Sequence, residues 1–127
     1  MKITRDHYEA LLAHAREDAP NECCGYMSLS DGVVREVFRG ENTRKSPYGF
    51  EFSFEDTVAY TNLEEEFDVG LYHSHPRTEP APSQQDRNVM QNWPGYLQVI
   101  VSLTHEPHVR AWWITDRGVE EEPIELA

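Results

Sequence analysis

The chain has 127 residues, enough for one folded domain of ordinary size and not for two. Hydrophobic residues make up 39% and aromatic residues 11%, more apolar and ring surface than a disordered chain carries. Acidic residues outnumber basic ones 23 to 11, and the resulting charge of −12 argues against nucleic acid or an anionic membrane as partner.

No apolar run approaches the roughly 18 residues that a membrane-spanning helix needs, and the first twenty residues hold no apolar signal core. Cys23 and Cys24 are adjacent and make no disulfide framework, so the expected compartment is a reducing cytoplasm.

The elements follow from local pattern. Thr4 to about Glu17 reads as a helix, because Tyr8, Leu11, Leu12 and Ala15 form one apolar stripe. Thr4 is placed to cap it, and Pro20 stands just past its end. Residues 22–30 and 33–38 flank Asp31-Gly32, a hairpin signal because both turn positions call for positive φ. Residues 39–46 are polar and loop-like, and the aromatic stretch 48–52 reads as a short strand. Ser53 to Asp56 resembles a capping box opening a second helix to about Glu66. Residues 67–74 form a strand, 77–82 a proline-bearing loop, and 83–92 a short helix stopped by Pro94-Gly95. The apolar run 96–103 predicts a central buried strand, and 108–115 and 119–124 form a second hairpin. This order gives an α+β (mixed α/β) domain spanning residues 1–127.

The chemistry concentrates in Gly70-Leu71-Tyr72-His73-Ser74-His75-Pro76 and in Ser83-Gln84-Gln85-Asp86. His73 and His75 are two apart, so on a strand both imidazoles project from one face. Asp86 lies in the first turn of the following helix, which can fold back toward the strand end. Two imidazoles and one carboxylate suit zinc, and three protein ligands leave a fourth position for water, the catalytic rather than the structural arrangement. A Ser-x-x-Asp at a helix start is also a plain cap, and the cap and ligand roles compete for the Asp86 oxygens.

His73-x-His75, seven residues, Ser83, two residues and Asp86 together match the signature of the JAMM (MPN+) metalloprotease family, which the chain resembles. Asn21-Glu22-Cys23-Cys24-Gly25 stands where that family places a glutamate near a Cys-Gly pair. The resemblance is detailed from the first helix to Asp86 and continues to about Thr115 in element order. It implies a mixed sheet flanked by helices, of deaminase-like architecture. It also implies a zinc-dependent peptidase or isopeptidase site, with zinc on His73, His75 and Asp86. Glu22 would be the general base and then the proton donor to the leaving amine, and Ser83 would help hold the oxyanion, a role standing beside that of a helix cap. Among family members, small prokaryotic ones acting on ubiquitin-like sulfur-carrier proteins look most similar. The implied partner is such a carrier's C-terminal Gly-Gly tail, from which residues are trimmed, an amino acid such as cysteine is released, or an isopeptide conjugate is cleaved. Such a tail would add as an extra strand beside the zinc, along residues 39–52, where Gly49 leaves room for close approach.

Other readings fit less well. A zinc nucleobase deaminase needs His-x-Glu and Pro-Cys-x-x-Cys, which are missing. A non-haem iron oxygenase would leave Glu22 and Ser83 without roles. A noncatalytic zinc-bound scaffold and a cell-wall or phage-tail peptidase remain as alternatives. Elsewhere, Cys23 and Cys24 point to opposite strand faces, so at least one belongs to the core. His7 and His14 fall on the polar side or edge of the first helix, His105-Glu106-Pro107-His108 reads as a surface turn, and Trp112 and Trp113 face opposite ways.

Overall fold

A computed structural model describes all of residues 1–127. In chain order the elements are β1 (Lys2–Ile3), α1 (Arg5–Asp18), β2 (Cys24–Ser30), β3 (Val33–Arg39), α2 (Phe54–Leu63), β4 (Asp68–His75), α3 (Gln84–Met90), β5 (Leu97–Ser102), β6 (His108–Thr115), β7 (Gly118–Glu122) and β8 (Glu125–Leu126). The strands form one mixed sheet in the order β7-β6-β5-β4-β2-β3-β1-β8. β4 is central, antiparallel to β2 and parallel to β5.

The anticipated hairpin forms at Asp31 (φ 52°) and Gly32 (φ 77°), the positive angles that the Asp-Gly pair tolerates. α1 starts at Thr4, whose side chain accepts the His7 N–H at 3.2 Å. Its Leu11, Leu12 and Ala15 are buried against Met27, Leu29, Tyr72, Val99 and Val101 on one sheet face. The opposite face is covered by α2, through Ala59, Tyr60 and Leu63 over Tyr26, Val69 and Leu71, and by α3, through Met90 over Ile100, Trp112 and Ile114. No helix is long and apolar enough to cross a membrane.

Several local expectations are corrected. α2 ends at Leu63, short of Glu66, and Ser53 accepts the Asp56 N–H at 3.1 Å without the reciprocal bond of a full capping box. The strand expected at 48–52 makes only isolated bridges, Asn42 to Phe52 and Ser46 to Gly49, within its own loop. β1 and β8 were not legible: two residues carry no periodicity, and they form because each completes the other's pairing. His14 is not at a polar edge but buried. Its Nδ1 meets the Tyr72 hydroxyl at 2.6 Å, and the missing side chain at Gly25 is what admits the Tyr72 ring. Cys23 and Cys24 are both buried. Burial pushes the Cys23 thiol up to about 12 and raises that of Cys24 as well, so neither is a ready nucleophile. Trp112 is buried and Trp113 partly exposed, as their alternation requires.

Candidate metal centre

The C-terminal end of β4 delivers two imidazoles to one place. His73 and His75 alternate with Tyr72 and Ser74, so they face the α2–α3 side while Tyr72 joins the α1 core. Both are buried, and His73 pairs in register with Cys24 on β2 and Ile100 on β5. α3 supplies the third donor. Ser83 caps this helix by accepting the Asp86 N–H at 3.0 Å, and Asp86 Oδ2 returns by accepting the Ser83 N–H at 3.0 Å.

The loop between His75 and Asp86 is pinned at three points. The Trp112 indole N–H donates to the Pro80 carbonyl (2.9 Å), the Ser102 hydroxyl to the Thr78 carbonyl (2.7 Å), and His75 Nδ1 to the Glu79 carbonyl (2.8 Å). The last bond fixes the tautomer of His75 and leaves its Nε2 lone pair facing inward. His73 Nδ1 has no partner, and the Phe50 ring stacks on this imidazole at 4.5 Å and 22°.

Three donor atoms thus converge: His73 Nε2 to Asp86 Oδ2 is 3.2 Å, His75 Nε2 to Asp86 Oδ2 is 3.1 Å, and the two Nε2 atoms are 3.2 Å apart. Two imidazole nitrogens and a carboxylate oxygen at this spacing are a donor set that could hold a cation. A tetrahedral zinc with bonds of about 2.0–2.1 Å spaces its ligand atoms about 3.3–3.4 Å apart, so the triangle fits that ion closely. Burial alone would push the Asp86 carboxyl up, but the neighbouring His73 and His75 hold it well below the usual carboxylate range. Burial would lower His75, yet the Asp86 carboxylate beside its Nε2 and the Glu79 carbonyl at its Nδ1 both favour the protonated ring and raise it.

Glu22 lies just before β2, buried, with Oε1 unpaired. Burial raises its carboxyl above the usual range, and the adjacent histidines only partly offset this. Its backbone is held on both sides: the N–H donates to the Ser46 carbonyl at 2.9 Å, and the carbonyl accepts from Asn42 Nδ2 at 2.9 Å. Asn42, which sequence reasoning missed, also donates to the Gly49 carbonyl (3.1 Å) and accepts the Arg44 and Glu51 N–H groups (3.0 and 3.1 Å). Its amide therefore organises the whole loop over the centre, and an isolated polar residue in a polar loop gave no signal of this.

An apolar groove of about 400 Å³ opens beside Asp86, lined by Phe50, Phe52, Tyr60, Val89 and Trp93 among others. Along its wall Glu51 bonds inward to Asn42 and Thr43, while Phe50 and Phe52 make no main-chain hydrogen bond within the protein. The space beside Gly49 is taken by the Arg44 guanidinium and so is not open to a ligand. With its amide oriented to suit its neighbours, Gln85 of α3 accepts from Arg44 at 2.9 Å and donates to the Tyr48 carbonyl at 3.2 Å, tying the loop to the helix.

Residues 4–115 match the family model described as prokaryotic homologs of the JAB domain. The chain belongs to this family. It is 34% identical over 132 aligned residues to the CysO-cysteine peptidase of Mycobacterium tuberculosis, covering 98% of this chain and 89% of that one. It is 35% identical over 123 aligned residues to the desampylase of Haloferax volcanii, covering 88% and 87%. A protein of Desulfitobacterium hafniense, known by its solution structure, shares the fold with a TM-score of 0.81 at 30% identity, covering 99% of this chain and 92% of that one. The single α+β JAB domain expected from the resemblance is thus the fold observed, and the chain is an enzyme of the JAB type, a hydrolase.

Proposed function

We propose that this JAB enzyme is a zinc-dependent metallopeptidase that hydrolyses the amide bond after the C-terminal Gly-Gly tail of a ubiquitin-like, sulfur-carrier protein or its conjugate. The carrying observation is the convergence of His73, His75 and Asp86 near a buried carboxylate with an unpaired oxygen, Glu22. The names of the CysO-cysteine peptidase and desampylase relatives support the substrate class.

His73, His75 and Asp86 hold the ion, and a three-residue donor set leaves a coordination position open, as in catalytic zinc sites. Bound there, zinc supplies Lewis acidity, polarising the scissile carbonyl and lowering the pKa of water from about 15.7 toward about 7. Glu22 takes one proton from the attacking water as the water oxygen bonds to the carbonyl carbon. It returns that proton to the nitrogen as the C–N bond breaks. A carboxyl raised by burial suits this work, because a general base is most effective when its pKa approaches the working pH.

Ser83 acts as cap and oxyanion donor together. Its oxygen accepts the Asp86 N–H through a lone pair, which leaves the hydroxyl proton free to meet negative charge developing on the carbonyl oxygen. The tail enters by the groove. Glycines have no side chains to grip, so recognition runs through main-chain pairing with the unpaired groups of Phe50 and Phe52.

Metal analysis of the purified protein tests the centre. The expected result is one zinc per chain, falling to a small fraction in His75→Ala. Full zinc occupancy in that variant would overturn the ligand assignment.

A further inference from the structure

Glu22 stands beyond the end of the sheet. β2 begins at Cys24, and the last ties toward β4 are those of Cys23. Its N–H donates to Ser74 Oγ at 2.8 Å, and its carbonyl accepts the Ser74 N–H at 3.1 Å. One residue further back, both main-chain groups of Glu22 turn to the loop instead, the N–H to the Ser46 carbonyl and the carbonyl to Asn42 Nδ2, each at 2.9 Å. The carboxyl has no such anchor on Oε1, which is unpaired. The place of the base is therefore set by a loop that is not part of the sheet.

We infer that Asn42 is a positioning residue for the hydrolysis: it carries the docking of the substrate tail on residues 50–52 to the main chain of Glu22, so that seating the tail sets the base. The inference rests on the peptidase reading above and joins its two parts, tail recognition and proton transfer.

The first observation is saturation. A primary amide offers two donors and two acceptor lone pairs, and Asn42 uses all four. Its Nδ2 donates to the carbonyls of Glu22 (2.9 Å) and Gly49 (3.1 Å), and its Oδ1 accepts the N–H groups of Arg44 (3.0 Å) and Glu51 (3.1 Å). At 7% exposure the side chain is nearly closed to water. One planar group thus ties residue 22 to residues 44, 49 and 51, and a shift at any of them strains the other bonds.

The second is where this group sits. Gly49 and Glu51 flank Phe50. The Glu51 carbonyl accepts the Thr43 N–H at 2.9 Å and the Thr43 hydroxyl at 3.1 Å, so Glu51 is bonded inward through both its main-chain groups. Alternate residues of an extended segment bond to opposite sides, which leaves the main-chain groups of Phe50 and Phe52 for a tail. A tail paired there stiffens the same segment that Asn42 holds from behind. The Phe50 ring stacks on His73 at 4.5 Å, so the segment touches the donor triangle directly and the base through Asn42.

The third is leverage. A carboxylate without a bond to fix it follows its main chain, and a misplacement of about 1 Å can cost about 10²-fold in rate.

Zinc-loaded wild type and Asn42→Ala are compared on a peptide with a Gly-Gly tail before the scissile bond and on its analogue with sarcosine at the glycine whose N–H pairs. In wild type the analogue should lower kcat about 10-fold as well as raise KM, the range of one hydrogen bond. Asn42→Ala should keep its zinc and lower kcat on the parent peptide about 10-fold. In that variant sarcosine should raise KM with no further loss of kcat, because the link from docking to the base is gone. Unchanged kcat on the parent peptide, or losses of kcat that multiply as a merely structural role requires, would overturn the assignment. If Asn42→Ala does not fold, Asn42→Asp carries the same comparison, each enzyme at its own pH maximum. It keeps the acceptor for Arg44 and Glu51 and loses the donor to Glu22 and Gly49.

Hydrogen exchange reads the link without turnover. Adding the product peptide, ending in a free Gly-Gly carboxylate, should slow exchange of the Glu22 N–H about 10-fold in wild type and not in the variant. No slowing in wild type, or equal slowing in both, overturns the assignment. If wild type shows the slowing but cleaves neither peptide, the peptidase reading has failed and the link stands.

Discussion

One oxygen of Asp86 serves the helix and the centre at once: Oδ2 accepts the Ser83 N–H at 3.0 Å while facing His73 and His75 at 3.2 and 3.1 Å. The two roles, expected to compete, are compatible because a carboxylate oxygen has two lone-pair directions. The start of α3 and the donor triangle therefore form one rigid unit.

Ser83→Ala removes the side-chain half of that cap and keeps the Ser83 N–H. It should cost about 0.5–2 kcal/mol of stability and leave zinc binding intact. Because the hydroxyl is also the proposed oxyanion donor, kcat should fall about 10²- to 10³-fold with little change in KM. Thermal melting, metal content and steady-state kinetics check the three parts. A lower melting point with unchanged kcat would assign Ser83 to the cap alone.

The buried Glu22 carboxyl has a consequence for pH. A carboxyl raised in the folded state binds a proton there more tightly than in the unfolded chain. Its favourable contribution is full below the unfolded value of about 4.3 and is lost as pH rises through the folded value. In chelator-stripped protein, Glu22→Gln should therefore raise the melting temperature near neutral pH, with the gain disappearing toward about pH 4. A variant that melts below wild type at neutral pH would contradict this.

Much of the centre was legible because its information is local. A period of two places His73 and His75 on one face, and the Ser83-x-x-Asp86 spacing marks a helix start. What was hidden depends on groups far apart in sequence. Asn42 reaches 20 residues back to Glu22, Trp112 holds Pro80 across 32 residues, and His14 meets Tyr72 across 58. No window of pattern contains such pairs. The stretch 48–52 differs for a related reason: its aromatics suit a strand, but its hydrogen bonds go to Asn42, Thr43 and Ser46 in its own loop and to Gln85 of α3 rather than to the sheet.

That same stretch yields a test on the substrate. If the Gly-Gly tail pairs with the free main-chain groups of Phe50 and Phe52, each tail N–H that donates matters. Replacing one tail glycine by sarcosine removes a donor without adding a side chain. KM should rise about 10-fold, and the effect should differ between the two glycines, because strand pairing uses alternate residues. Identical KM values for both sarcosine peptides and the parent would place the tail elsewhere.

The central claim is that Glu22 carries the proton in a zinc-dependent hydrolysis while binding no metal itself. The direct measurement is zinc content and tail-peptide cleavage, made side by side on wild type and Glu22→Gln. The account predicts equal zinc in both and a rate at least about 10²-fold lower in the variant. A fully zinc-loaded Glu22→Gln that cleaves at the wild-type rate would contradict it.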